Sequence, residues 1–194
     1  MSGIDILHNN TISDAHFVGF FLALLLAFCL VPLVRNICIK KGLYDIPNDR
    51  KIHKMPIPRL GGIAIWLSTC LTMGILILYF WNYPHGNALS GMFAGGTIIF
   101  ILGVIDDIYG LSPKIKLLFQ FVAGIVAYSL GVQITAINLP FSSEMIQLGF
   151  LSIPLTLLWI VAISNAINFI DGVDGLAGGV TALSAITLGV VAFY

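Results

Sequence analysis

The sequence predicts an all-α integral membrane protein with about six transmembrane helices. Of its 194 residues, 58% are hydrophobic and 9% are charged, whereas a soluble domain carries about a quarter charged residues. The apolar residues also gather in runs, several of which approach the roughly 20 residues that a helix needs to cross a bilayer. We therefore expect residues 1–194 to form a single multi-pass membrane domain. The net charge of zero does not indicate a nucleic-acid partner.

Six apolar runs give the predicted helices. The first run is longer than the apolar region of a signal peptide and lacks preceding basic residues, so we expect it to stay in the membrane. Gly91 and Gly95 in the third run are four residues apart, a spacing that favours close helix packing. The runs cover residues 17–34, 60–81, 88–105, 117–131, 149 to about 165–168, and 176–194.

Residues 132–148, between the fourth and fifth runs, differ from the other connections. Their first part, VQITAINLPF, is rich in β-forming residues, and the turn-like Pro-Phe-Ser-Ser lies at its end. This pattern predicts a short β-hairpin, with an irregular loop as a close alternative.

The positions of the cationic residues predict the orientation, since Lys and Arg concentrate in cytoplasmic segments. Seven of the nine lie between positions 35 and 59, and the other two are Lys114 and Lys116. The N-terminal tail and the 132–148 segment have none. We therefore predict that the N-terminus is outside and that the hairpin is periplasmic. The predicted cytoplasmic segments are residues 35–59, 106–116 and 165–175.

Two pairs of acidic residues fall at the predicted cytoplasmic surface. Asp106 and Asp107 directly follow the third run, and Asp171 and Asp174 follow the fifth. Two like unit charges roughly 4 Å apart repel by about 4 kcal/mol at an effective dielectric constant near 20. Acids at membrane depth are costly, which favours a functional role over ordinary loop acids. Since oxygen ligands suit Mg²⁺ or Mn²⁺, these residues predict a divalent metal site.

The second acidic pair belongs to a polar series that recurs at every third position. Each step of three residues on a helix falls about 60° short of a full turn, so neighbours share a face but the first and last members oppose each other. Gly172 and Gly175 indicate that the helix breaks here, which would let backbone N–H groups approach a phosphate. The series consists of Asn165, Asn168, Asp171 and Asp174.

The predicted cytoplasmic loop DIPNDRKIHKMPIPRLGG supplies the opposite charge. Its cations would either hold phosphate groups or only follow the positive-inside rule, and the residues alone leave both interpretations open. Arg59 is more specific, because stiff prolines precede it and two glycines follow at a helix entry. His53 is the histidine of the cytoplasmic segments, and a lone histidine is more often structural.

Three stretches resemble, in order and spacing, the N-terminal cytoplasmic motifs of the polyprenyl-phosphate N-acetylhexosamine-1-phosphate transferases, a group within glycosyltransferase family 4. The form PIPRLGG looks more like the enzymes that initiate O-antigen, enterobacterial common antigen and teichoic acid synthesis than the phospho-MurNAc-pentapeptide translocase of peptidoglycan synthesis. The stretches are HKMPIPRLGG, VIDDIYGLSPKIKLLFQ and NAINFIDGVDGLAGG.

The resemblance implies a phosphotransferase reaction at the cytoplasmic face of a bacterial inner membrane. The phosphate of undecaprenyl phosphate would attack the β-phosphorus of a UDP-N-acetylhexosamine, with UDP-GlcNAc as the expected donor. An alternative mechanism, in which an Asp attacks first and gives a covalent intermediate, stays open. The products would be an undecaprenyl-diphospho-sugar and UMP, and Mg²⁺ would be required, with Mn²⁺ as an alternative. A homodimer is left open.

The resemblance also implies roles for individual residues. Asp106 would deprotonate or orient the lipid phosphate, and Asp107 would be its neighbour nearest the metal or substrate. Asp171, Asp107 and Asp174 would hold the metal. Contacts to substrate or diphosphate are expected from Asn168, Asp174, Lys114, Lys116, His53 and Arg59.

Members of this family carry two further cytoplasmic motifs, one acidic and one histidine-rich, and the present sequence stops before both. We therefore expect a fragment or a truncated product, and we expect residues 1–194 alone to be inactive. The alternatives are a non-catalytic fragment, a membrane transporter that uses its acids to carry ions, and a UbiA-like prenyltransferase, whose NDxxD spacing is absent.

Overall fold

The computed structural model describes residues 3–45, 57–58, 60–79, 86–139, 145–171 and 175–192. Within these ranges the chain forms long helices with two small two-stranded sheets, and the predicted all-α class is confirmed. The helices are α1 (Gly3–Lys41), α2 (Gly61–Tyr79), α3 (Gly86–Tyr109), α4 (Pro113–Ser129), α5 (Ser152–Ile170) and α6 (Leu176–Ala192).

Four helical segments of the described residues are long and apolar enough to cross a membrane, which makes this a multi-pass membrane protein. They are His16–Lys41, Gly61–Leu78, Asn87–Tyr109 and Gly149–Ile170. The predicted number of six spans is not established. Helix α4 has 17 residues, which gives a helix about 25 Å long, near the lower limit of about 17 residues for a membrane span.

Helix α1 is longer than the predicted run and ends in a glycine cap. It starts at Gly3 and contains Pro32. At its end Gly42 has a positive φ of 69°. The Gly42 N–H donates to the Ile39 carbonyl at 3.2 Å, and the Leu43 N–H donates to the Cys38 carbonyl at 2.9 Å. This is the Schellman arrangement, in which glycine tolerates the left-handed backbone.

The chain divides into two compact units, and the division falls within α3. Unit 1 contains Met1–Gly86 and Phe100–Leu111. Its core consists of small and apolar side chains from α1 and the start of α2, because small residues let membrane helices approach closely. Two short antiparallel strands, β1 (Tyr44–Asp45) and β2 (Ile57–Pro58), belong to the same unit. The buried core residues are Val34, Cys38, Leu60 and Ala64.

Unit 2 contains Asn87–Ile99 and Ser112–Tyr194, and glycines set its helix packing. A Cβ placed on Gly91 would lie 2.8 Å from the carbonyl oxygen of Ala127, and one on Gly95 would lie 3.0 Å from the carbonyl oxygen of Ala123. Positions therefore advance along α3 as they retreat along α4, so the two helices are antiparallel. The predicted packing role of the Gly91–Gly95 pair is confirmed.

The segment between α4 and α5 forms the predicted hairpin. Strand β3 (Ala136–Asn138) pairs antiparallel with β4 (Met145–Gln147), with Ile137 opposite Ile146. The N–H of Ile134 donates to Oγ1 of Thr156 on α5 at 2.9 Å. Thr156 is only 2% exposed, so this bond ties the base of the hairpin firmly to the first turns of α5.

Replacing Gly91 with alanine should destabilise the protein, because the new Cβ would overlap the Ala127 carbonyl and force α3 away from α4. Overpacking of this kind costs about 1–3 kcal/mol. Thermal unfolding in detergent should show a lower melting temperature for Gly91→Ala. Gly103→Ala is the matched control on the same helix, since nothing lies within 4 Å of a Cβ there. Equal melting temperatures for the two variants would contradict the packing role.

Candidate active site

The first acidic pair lies in the last turn of α3, and Asp106 closes that turn. Its Oδ1 accepts a hydrogen bond from the Leu111 N–H at 2.9 Å, and its backbone carbonyl accepts the Gly110 N–H at 2.8 Å. Gly110 ends the helix with a φ of 67°. The hydrogen bond from the Leu111 N–H fixes the orientation of the Asp106 carboxylate. The side chain of Asp107 is more exposed than that of Asp106.

Asp171 lies at the C-cap of α5, with φ −72° and ψ 0°, and is exposed. Its N–H donates to the Ile167 carbonyl at 3.1 Å. The last turns of α3 and α5 contain no basic residue. Anions near a helix C-terminus are unfavourable by about 0.3–1 kcal/mol, because the helix dipole is negative there. A bound cation would offset this cost at either helix end.

The opposite charge pattern occurs at the start of α4. Ser112 is the N-cap and Pro113 is the first helical residue. The Ser112 carbonyl accepts the N–H groups of Ile115 and Lys116, both at 3.1 Å. Lys114 and Lys116 therefore occupy the beginning of a helix whose first turn has no acid. Cations are disfavoured at this positive end of the dipole, whereas a phosphate is favoured by both the dipole and the lysines.

Helices α4 and α5 are antiparallel, which brings several predicted site residues to one end of the pair. Gln120 on α4 is hydrogen-bonded to Asn165 on α5. Further along α4, a Cβ on Gly124 would lie 2.7 Å from Leu157. Because the two helices are antiparallel, the start of α4 lies beside the end of α5. Four predicted site residues therefore lie at this end of unit 2. They are Lys114, Lys116, Asn168 and Asp171.

Other predictions stay untested. Asp106 and Asp107 belong to unit 1 and Asp171 to unit 2, so the single cavity expected for them stays a prediction. His53, Arg59 and Asp174 lie outside the described residues. Among the residues that the structure does describe, no three His, Cys, Asp or Glu side chains form a group that could hold a metal ion.

The polar pair between α4 and α5 was not predicted. Gln120 is 6% exposed, and it is the polar residue of an otherwise apolar stretch, LLFQFVAGIV. An amide in such a run needs a partner, because an unpaired polar group in hydrocarbon is costly. That signal was present in the sequence, although it could not identify Asn165 as the partner.

Comparison with known proteins agrees with the family that the motifs resemble. The model of glycosyl transferase family 4 matches residues 89–194. A Bacillus subtilis protein named "Probable undecaprenyl-phosphate N-acetylglucosaminyl 1-phosphate transferase" is 39% identical over 90% of this chain and 48% of its own length. The Escherichia coli K12 undecaprenyl-phosphate alpha-N-acetylglucosaminyl 1-phosphate transferase is 35% identical over 82% of this chain and 42% of its own.

A decaprenyl-phosphate N-acetylglucosaminephosphotransferase from Mycolicibacterium smegmatis is 31% identical over 80% of this chain and 39% of its own length. The chain thus spans less than half the length of each of these relatives. The family match covers more than half of the chain and includes the motifs around Asp106 and Asp171. On this evidence the chain belongs to glycosyl transferase family 4.

Proposed function

We propose that this protein transfers N-acetylglucosamine 1-phosphate from UDP-GlcNAc to undecaprenyl phosphate. An oxygen of the lipid phosphate forms a bond to the β-phosphorus of the nucleotide sugar. The bond from that phosphorus to the bridging oxygen breaks, and UMP leaves. The product, undecaprenyl-diphospho-GlcNAc, would start the synthesis of a cell-surface polysaccharide.

The observation that carries this proposal is the match to named GlcNAc-1-phosphate transferases over 80–90% of the chain. The names of these relatives specify the sugar and a polyprenyl phosphate acceptor. They favour this function over the phospho-MurNAc-pentapeptide transferase of peptidoglycan synthesis. A transporter is disfavoured because Asp106, Asp107 and Asp171 lie at helix ends rather than in the middle of membrane spans.

Within this reaction, the residues of the chain act through charge and orientation. Asp106 would accept the proton of the lipid phosphate or orient it, since its carboxylate is held by the Leu111 N–H. Lys114 and Lys116, at the positive end of α4, would attract the phosphates. Asn168 would contact the diphosphate, and we assign the same role to three residues outside the described ranges, His53, Arg59 and Asp174.

The donor chemistry fits Mg²⁺, because carboxylate oxygens are the ligands that this ion prefers. Asp107, Asp171 and Asp174 are the residues that we assign to it. When bound, Mg²⁺ would neutralise charge on the diphosphate. The position of acids at two helix C-termini supports this assignment, since a cation removes the unfavourable interaction with the dipole.

Asp106→Asn in the full-length protein should lower turnover a hundredfold or more, the scale expected for a general base. The asparagine Oδ1 can still accept the Leu111 N–H, so the turn after α3 should persist and the melting temperature should change little. UMP release with UDP-GlcNAc, undecaprenyl phosphate and Mg²⁺ measures the effect. Turnover near that of the unmodified protein would remove Asp106 from the mechanism.

Lys114→Met should raise the KM for undecaprenyl phosphate by about tenfold, which corresponds to about 1.4 kcal/mol of lost binding. Stability should stay equal or rise, because the change removes a cation from a helix N-terminus. Lys40→Met, in the last turn of α1, is the control and should leave the KM unchanged. Equal KM values for both variants would refute a phosphate contact at Lys114.

We also propose that the site faces the cytoplasm of a bacterial inner membrane. In a variant without native cysteines, Lys114→Cys should react with a membrane-impermeant thiol reagent only after permeabilisation of the cells. Gln133→Cys, just beyond the other end of α4, should react in intact cells. The reverse labelling pattern would show that the start of α4 faces the outside, which would contradict the proposed orientation.

A further inference from the structure

We propose that Gln120 is a positioning residue, which fixes the rotation of α5 against α4 through Asn165 and so aims Asn168 and Asp171 at the substrate. This inference rests on the proposed function, because it assigns Gln120 a role in that reaction. Gln120 itself would not touch the substrate. It lies on α4 one turn beyond Lys116 and is 6% exposed.

The contact between the two carboxamides is reciprocal. Asn165 Nδ2 donates to Gln120 Oε1 at 2.7 Å, and Gln120 Nε2 donates to Asn165 Oδ1 at 3.4 Å. Asn165 Nδ2 also donates to the carbonyl of Val161 at 2.8 Å. Both hydrogens of the Asn165 amide are therefore used within the protein. A carbonyl oxygen can only accept a hydrogen bond, so the group of Asn165 that faces Val161 must be its NH2 group. This fixes the orientation of the Asn165 amide and, through the two bonds between the carboxamides, the orientation of the Gln120 amide.

The pair matters for the site because Asn165, Asn168 and Asp171 stand on one helix at steps of three. If the contact at Asn165 fixes the rotation of α5 about its axis, the directions of Asn168 and Asp171 are fixed as well. They lie about 60° and 120° around the helix from Asn165. The side chains of a helix reach about 5–6 Å from its axis, so a rotation of about 20° displaces their tips by about 2 Å. A misplacement of about 1 Å in a reacting geometry can lower a rate by about a hundredfold.

The contact of Gly124 on α4 with Leu157 on α5 is poorly suited to set this rotation. Gly124 has no side chain, and it meets Leu157 by close approach of the two helices. Such a contact fixes the distance between helices but offers few features that select one rotation. Paired amides have directional hydrogen bonds, and a single buried amide pair is known to select one helix register over others.

The experiment compares turnover, KM and thermal stability in the full-length protein. Gln120→Leu should lower kcat by about ten- to a hundredfold, with the KM of each substrate within about twofold, because the lost alignment acts on the transition state. Gln120→Leu combined with Asn165→Leu should be no worse than the poorer single variant. Exchanging the residues, as Gln120→Asn with Asn165→Gln, keeps both carboxamides and should recover at least a third of the original kcat.

Gln133→Leu is the matched control. Gln133 is exposed, and its Nε2 donates to the Tyr128 carbonyl at 3.1 Å beyond the other end of α4. It should leave kcat unchanged. The proposal is overturned if Gln120→Leu keeps kcat within twofold. It is also overturned if the exchanged pair recovers nothing, since Asn165 would then act by direct contact.

A second measurement does not depend on activity. Spin labels at Ile115→Cys and Phe169→Cys, both exposed positions, report the rotation of α5 against α4 after Cys29, Cys38 and Cys70 are replaced. The distance distribution should be narrow with Gln120 present and broader with Gln120→Leu. An unchanged distribution overturns the positioning role even in an active protein. Absence of UMP release by the unmodified protein would instead refute the proposed function and leave this measurement decisive for Gln120.

Discussion

Charges that oppose the helix dipoles are the constraint on which the functional interpretation depends. Asp106 and Asp107 lie in the last turn of α3, Asp171 caps the end of α5, and Lys114 lies at the start of α4. Each charge sits at the helix end where it is least stable by itself. In a protein with 9% charged residues, the function that we propose supplies ligands of the opposite sign to these helix ends. A metal ion suits the acids, and a phosphate suits the lysine.

The scaffold that holds these ends relies on close approach rather than on large apolar side chains. Lipid is as apolar as leucine, so helices in a bilayer associate through tight packing and polar contacts. In unit 2, Gly91 and Gly95 bring α3 against α4, and Gly124 brings α4 against α5. The amide pair of Gln120 and Asn165 then adds directional hydrogen bonds to the interface between α4 and α5. We propose that close contact and directional hydrogen bonds together determine where the end of α5 points.

Much of the fold could be predicted from the sequence, because membrane helices and turns have strong local signals. Apolar runs gave the helix class, and β-forming residues gave the hairpin at 136–147. The Gly91–Gly95 spacing gave one packing face. The number of spans did not follow, because α4 has 17 residues, which lies near the lower length limit of about 17 residues for a membrane span. Hydropathy windows do not show where a helix ends.

The candidate site could be predicted from the sequence only as a set of residue types. Motifs identified Asp106, but its bond to the Leu111 N–H depends on the backbone of the turn, which residue spacing does not specify. The pairing of Gln120 with Asn165 joins positions 45 residues apart. Such a contact depends on how two helices are oriented in three dimensions, and one sequence holds no record of that orientation.

The bond between Thr156 and the Ile134 N–H makes the β3–β4 hairpin an extension of α5. The hydroxyl is buried, and a tether of this kind passes rotation and translation from one element to the other. Thr156 and Asp171 are 15 residues apart on the same helix, which corresponds to about 22 Å. A fluorophore or a binding protein attached to the hairpin would therefore sense, or restrain, movement of the far end of α5 without touching any residue there. A label on the hairpin would thus report the movement of α5.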